Sequence, residues 1–231
     1  QSMRLIAQQG AKAFYEGAIA EKIAAEMAPH AGAVTLQDLR EYKVAEREPV
    51  RGTYRGHEVV TMPPPSSGGT HLVQILNMLE QWPLAQWGQN SAQTLHHMAE
   101  SGKLAYADRD KYVADTDFIP LPGNGVSSMI DKAYLKQRAS LINADGKSMG
   151  TAAAGDLGSV PLGVDKTVEK GTTHFSIVDA YGNVVSMTST VESSMGSYHM
   201  VGGFLLTNQL TDFSAQPTDA AGVPVANRVA P

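Results

Sequence analysis

GTTHFSIVDAYGNVVSMTSTVES, residues 171–193, reads as two β-strands folded about a tight turn. Hydroxyl residues crowd both ends of its open mouth: Gly171-Thr172-Thr173 starts the first strand and Ser189-Thr190 closes the second. Asp179-Ala180-Tyr181-Gly182-Asn183 supplies the turn, since Gly182 and Asn183 tolerate the positive φ that tight hairpins need. A turn centred on Tyr181 pairs residues equidistant from it, so Thr172 faces Thr190, to within one residue for a bulge. Directly opposed side chains have Cβ atoms about 5 Å apart. Two readings are open. The threonines are a cross-strand hydroxyl pair that stabilises a sheet, or they are a nucleophile and its support.

Threonine is a poor nucleophile unless a base takes its proton, and no Asp or His partner stands at an obvious offset. A threonine at a chain terminus carries its own base, the α-amino group, with a reference pKa of about 7.7–8.0. Thr172 gains that amine only if the Gly171–Thr172 bond breaks first. A long loop leading to a glycine and then a hydroxyl suits self-cleavage, with the Thr172 oxygen attacking the Gly171 carbonyl. Thr190 is expected to orient that oxygen by a hydrogen bond.

The rest of the chain bounds this reading. Its 231 residues have length for one large domain or two small ones, and 42% hydrophobic with 18% charged residues suits a soluble globular protein. A net charge of −5 without a long basic run argues against a nucleic-acid partner. No apolar stretch approaches the roughly 18 residues that span a bilayer. Absence of cysteine excludes disulfides and thiolate metal sites. Gln1-Ser2-Met3 resembles the remnant of a cleaved tag.

Upstream, a helix is expected from about Gly17, with Ile19, Ile23 and Met27 inward and Pro29 and Gly32 ending it. Thr35 and Asp38 form a capping pattern for a short helix. GTYRGHEVVTMPPP (52–65) is strand-like, and Pro63 to Gly69 is a loop entering a helix whose stripe is Leu72, Ile75, Leu76 and Leu79. Residues 91–115 read as a helix with Leu95, Met98, Leu104 and Ala105 inward, and residues 129–140 as another. Residues 143–170 read as a surface loop, and the chain is again loop-like after Asp212 through ANRVAP. His174 reads as a packed strand histidine, and Met187, Met195 and Met200 as packing. His96-His97 lacks a ligand partner at i+4, so no metal site is expected there. PPPSSGGTH lacks the lysine of a phosphate loop and reads as a structural entry to its helix.

TTHFSIVDAYGNVVSMTST followed by LLTNQLTDFS resembles the start of the small subunit of the gamma-glutamyltranspeptidase family. GAKAFYEGAIAEKIAAEM, YRGHEVVTMPPPSSGGTHLVQILNMLE and LAYADRDKYVADTDF resemble the second half of its large subunit, in family order. The resemblance implies an α+β fold, part of the N-terminal-nucleophile hydrolase sandwich of two packed sheets between helical layers. It divides the chain into residues 4–171, the end of the large subunit, and 172–231, the start of the small one, with residues 1–3 outside both.

The implied activity is transfer or hydrolysis of γ-glutamyl amides such as glutathione, with an amino acid or water as acceptor and no cofactor or metal. The implied partners are that small substrate and the remaining parts of the same precursor, and the implied location is periplasmic or secreted. Carried over position by position, Thr172 matches the nucleophile, Thr190 its supporting hydroxyl, and Gly171–Thr172 the self-cleaved bond. Gln209 and Asp212 match the side chains that hold the glutamyl α-amino group, a charge-assisted contact in the case of Asp212. Glu192 stands where many members place a substrate-contacting asparagine, which opens the alternative of an amidase or acylase with another acyl preference. The segment from Met195 to Gly203 is also slightly shorter than in familiar members. The resemblance further implies an earlier arginine, and later serines and a Gly-Gly oxyanion hole, none of which these residues contain. The fragment alone is therefore expected to be a poor enzyme, and a non-catalytic protein is the contrasting reading.

Overall fold

The computed structural model describes residues 1–30, 34–160, 171–213 and 216–225. Along the chain run α1 (Ser2–Gln9), α2 (Lys12–Tyr15), α3 (Ala18–Met27), α4 (Leu36–Glu41), β1 (Val50–Tyr54) and β2 (His57–Thr61). Then come α5 (Gly68–Leu79), α6 (Leu84–Trp87), α7 (Ala92–Tyr112), α8 (Val126–Met129) and α9 (Lys132–Ala139). The strands β3 (Thr173–Val178), β4 (Val184–Ser189), β5 (Met200–Val201) and β6 (Phe204–Leu205) follow. Each consecutive strand pair forms its own two-stranded antiparallel sheet. Helices and antiparallel pairs together make the mixed class expected. Gly32, the last ten residues of the expected 143–170 loop and ANRVAP lie outside the described residues. Among the described residues no helix is long and apolar enough to cross a membrane.

The chain divides into two compact units, Gln1–Glu46 with Thr167–Phe213, and Arg47–Lys166 with Ser214–Pro231. Both units draw residues from each side of Gly171.

In the second unit the expected strand over 52–65 is a hairpin. Arg55 and Gly56, at φ 47° and 85°, turn β1 back into β2. At the entry to α5, Gly69 is a packing requirement, because a Cβ there would fall inside the Met62 carbonyl. On α5 the buried face differs from the expected stripe. Thr70, Val73, Gln74, Asn77, Met78 and Leu79 are buried, while Leu72 is 44% exposed and Ile75 and Leu76 are only half-buried. The amide N–H groups on that face find carbonyl partners. The Asn77 amide donates to the carbonyls of Thr53 (3.1 Å) and Val73 (2.8 Å), and that of Gln74 to the Met129 carbonyl (3.0 Å). A hydropathy stripe does not register amides whose partners come from neighbouring elements.

The same holds on α7, where Leu104 and Ala105 are buried as expected but Leu95 and Met98 are half-exposed. In their place the helix buries Asp108, whose carboxylate meets Arg138 at 3.1 Å and accepts from Tyr134 Oη (2.7 Å) and the Gly155 N–H (2.8 Å). A buried carboxylate is tolerable only when paired and hydrogen-bonded in this way. Residues 143–160 are irregular and mostly exposed, as a surface loop should be, and side chains of α7 and α9 anchor them. Tyr112 Oη donates to the Gly155 carbonyl (2.6 Å), Arg138 to the Ala153 carbonyl (2.7 Å) and the Met149 N–H to Glu100 (2.8 Å). The stretch is irregular yet pinned. The expected helix over 129–140 is α8 and α9, separated by Ile130-Asp131, with Asp131 capping α9 through the Tyr134 N–H at 2.8 Å.

His71 on α5 is buried and stacks on Tyr106, and burial, reinforced by the Arg109 charge, pushes its imidazole down to about 4. In the unfolded chain it titrates near 6.5. The unfolded state therefore binds the extra proton between these values, and stability falls as pH drops from about 6.5 to about 4. An NMR titration of the folded protein is expected to leave the His71 ring neutral at pH 5.5. A midpoint above 6 for that resonance removes this assignment.

In the first unit α3 opens after Gly17 as expected, burying Ile19 and Ile23 against Val201, Phe204, Leu5 and Phe14. Helices α1 and α2 are additions to the sequence reading, and Ser2 Oγ donates to the Gly202 carbonyl at 2.6 Å. Thr35 and Asp38 make the reciprocal cap on α4.

The register of β3 and β4 is the one that symmetry about Tyr181 demands, Thr173 opposite Ser189 through Val178 opposite Val184. One face carries Phe175, Ile177, Val185 and Met187, the other His174, Ser176, Ser186 and Thr188. All residues of both strands are exposed. His174 is therefore a surface residue rather than a packed one, its ring nitrogens 2.8 Å from Thr188 Oγ1 and 3.1 Å from Ser186 Oγ. Met187, Met195 and Met200 are likewise 45% or more exposed, because nothing among the described residues covers them.

Candidate active site

The site grows from the hairpin mouth. Gly171 adopts φ 72°, a left-handed conformation that favours glycine, and a Cβ there would meet the Glu192 carbonyl oxygen at 2.7 Å. With no side chain at 171, the backbone before Thr172 lies close against the segment that follows β4.

Thr190 is the residue just beyond β4. Its hydroxyl donates to the Gly171 carbonyl at 2.7 Å and accepts from the Glu192 N–H at 2.8 Å. The sequence reading assigned this hydroxyl to the Thr172 oxygen, and here it polarises instead the carbonyl of the bond expected to break.

Glu192 is a non-glycine residue at φ 70°, an uncommon backbone state. Strand β4 stops at Ser189, so face alternation does not carry on to Glu192. Its carboxylate instead accepts from the Asn208 side-chain amide. The same Asn208 accepts the Ser193 N–H through Oδ1 (3.1 Å), and its own N–H reaches the Val191 carbonyl (3.4 Å). Asn208 therefore clamps the residues 191–193 to the turn that bears Gln209 and Asp212. Those two side chains are joined, the Gln209 amide donating to the Asp212 carboxylate.

An open cavity of about 550 Å³ is lined by residues 171–173 and 189–194. It thus brings together Gly171, Thr172, Thr190 and Glu192. Gln209 and Asp212 stand outside its wall, on a 3-10 turn (Gln209–Asp212) tied to it through Asn208. Asn208 is the residue that sequence reasoning missed. Its signal was present in LLTNQLTD, where an amide precedes the two residues singled out. At the far end of the hairpin the Asp179 carboxyl is held below the usual carboxylate range by Asn183 and the turn N–H groups, so the turn is locked by its own side chain.

A profile of the gamma-glutamyltranspeptidase family matches residues 1–231. The chain belongs to that family. The glutathione hydrolase proenzyme of Escherichia coli (strain K12) is 42% identical over 227 residues, which cover 97% of this chain and 37% of that protein. Among solved structures, Helicobacter pylori gamma-glutamyltranspeptidase superposes with a TM-score of 0.61 at 42% identity, over 64% of this chain and 42% of that one. Cephalosporin acylase from Bacillus halodurans superposes with a TM-score of 0.75 at 25% identity, over 98% and 39% of the two chains. The gamma-glutamyltranspeptidase-family chain described here thus spans less than two fifths of the E. coli protein's length. Its fold is a part of the N-terminal-nucleophile hydrolase architecture that these neighbours share.

Proposed function

We propose that the protein of which this chain forms part is a γ-glutamyl-transferring hydrolase that acts through an ester on Thr172. The observation that carries the reading is the 2.7 Å bond from Thr190 Oγ1 to the Gly171 carbonyl, on the wall of a cavity that also holds Thr172. Family membership supports the reaction class. In the precursor, the Thr172 oxygen attacks the Gly171 carbon, the C–N bond breaks, and the chain becomes an ester with a free Thr172 amine. Water hydrolyses that ester, leaving a carboxylate on Gly171 and restoring the Thr172 hydroxyl. The new α-amino group then takes the hydroxyl proton as Thr172 attacks a γ-glutamyl amide, and returns it to the leaving amine. Water or an amino acid completes the cycle.

Gln209 and Asp212 are the proposed holders of the donor's α-ammonium group, and the remaining parts of the same precursor complete the site. A periplasmic or secreted location belongs to the same proposal. Mass spectrometry of the full-length protein tests the first step. Two fragments meeting at Gly171–Thr172 are expected, and an intact bond after prolonged incubation overturns the reading in favour of a non-catalytic protein.

Glu192 favours a second reading, an acylase on the same scaffold, since the similarity to a cephalosporin acylase extends over nearly the whole chain. A carboxylate on the cavity wall repels a donor's own carboxylate. For charges 4 Å apart at an effective dielectric of about 20 the scale is ~4 kcal/mol, an upper bound that solvent reduces. Replacing Glu192 by Asn in the processed full-length enzyme is expected to raise kcat/KM for γ-glutamyl anilides about tenfold relative to donors lacking the α-carboxylate, such as 4-aminobutyryl anilides. If that ratio stays put or falls, Glu192 is not a repulsive selectivity element.

A further inference from the structure

Outside the hairpin mouth, the first unit gathers three ligand-bearing side chains that the reaction above does not use. Glu26 sits in the last turn of α3, and His30 follows four residues later at the end of the 3-10 turn Ala28–His30. His199 arrives from far along the chain, immediately before β5. His199 Nδ1 lies 2.9 Å from Glu26 Oε1, and the His30 and His199 rings lie 4.4 Å apart, centroid to centroid. One ligand atom from each of the three falls within 4.8 Å of the others.

We propose that Glu26, His30 and His199 form a binding site for one zinc-class divalent cation. The donor set supports that class of ion. Two imidazoles and a carboxylate suit zinc and its transition-metal neighbours, whereas magnesium and calcium take oxygen ligands. The spacing supports it as well. Zinc bonds of about 2.0–2.1 Å in a tetrahedron place ligand atoms roughly 3.4 Å apart, so the three need close by no more than side-chain rotation. The backbone that carries them is fixed by packing, with Ile19 and Ile23 of α3 buried against Val201, two residues after His199. Burial grades from exposed His30 to half-buried Glu26 and His199, which leaves a path for the ion and a fourth position for water. Bound there, the ion joins the end of α3 to a segment 173 residues from Glu26, across the Gly171–Thr172 bond. Its role is a clip rather than a participant in acyl transfer.

Isothermal titration of the chelator-stripped full-length protein with zinc chloride tests the site. One saturable site is expected, weakened about tenfold or more by each of His30→Ala, His199→Ala and Glu26→Gln. His57→Ala, which alters an exposed histidine on β2, is expected to leave it unchanged. Zinc is also expected to raise the melting temperature of the parent protein and not that of the three variants. His30 is exposed, so His30→Ala serves as the decisive variant should either of the others fail to fold. Absence of saturable binding, or binding that His30→Ala does not weaken (an adventitious ion only), overturns the proposal. Acyl transfer is tested separately by cleavage at Gly171, so either reading can fail alone.

Discussion

Thr172→Ala in the full-length precursor is expected to give a single uncut chain without measurable turnover. One oxygen serves both steps in the proposed scheme. Without it the Gly171 carbonyl meets no internal nucleophile, so no α-amine is unmasked and no acyl ester can form on residue 172. Removal of a hydrolase nucleophile costs on the order of 10⁶ in rate, which puts residual activity below detection in an ordinary anilide assay. Thr172→Ser keeps an oxygen and is expected to mature, at an altered rate, because the hydroxyl loses the rotamer restriction of a β-branched side chain. Gel electrophoresis over days followed by mass spectrometry of the products reads both. Cleavage at 171–172 in Thr172→Ala would sink the self-cleavage scheme outright, and activity in the uncut variant would sink the acyl-Thr172 ester with it.

What could be read from the sequence, and what could not, divides by the range of the interaction. The hairpin register was legible because two strands and a turn are a local object, and symmetry about Tyr181 settles which residues face each other. The cap on α4 was legible for the same reason, since Thr35 and Asp38 satisfy one another within one turn. Surroundings were less legible. Hydropathy along α5 selects Leu72, but the protein buries Gln74 and Asn77, to which Met129 and Thr53 supply carbonyls from distant positions. The exposed His174 failed for the opposite reason. Its alternation is right, yet no described element covers that face of the hairpin.

The site itself was partly legible. Thr172, Thr190 and Glu192 line one cavity, whereas Gln209 and Asp212 form a neighbouring pair outside its wall. Missing from the sequence reading were Asn208, whose three bonds hold the 191–193 segment, and the direction of the Thr190 hydroxyl. Both involve residues of positive φ, Gly171 and Glu192, a backbone state that a side-chain pattern does not reveal.

In the proposed scheme the Thr190 hydroxyl has two successive tasks. In the uncut chain it donates to the Gly171 carbonyl, the oxygen on which negative charge develops when Thr172 attacks. A donor already in place at 2.7 Å stabilises that charge without reorganising, which is how oxyanion contacts accelerate acyl transfer. In the same scheme cleavage leaves a carboxylate on Gly171, and we propose that the Thr190 hydroxyl then turns to the Thr172 oxygen, the contact expected from the opposed register. Thr190→Ala is therefore expected to slow precursor cleavage about 10²- to 10³-fold, the scale for deleting one oxyanion donor. Thr190→Ser, which restores the hydroxyl, is expected to recover most of that rate. Circular dichroism of the two variants separates this effect from misfolding of the mouth, where the Glu192 N–H also loses its acceptor in the alanine variant. Turnover must then be scored per processed molecule. A deficit confined to cleavage assigns Thr190 to the Gly171 carbonyl alone, and a further deficit in turnover assigns it to both tasks. If Thr190→Ala matures at the parental rate, the carbonyl contact has no part in the chemistry, and the polarisation argument falls.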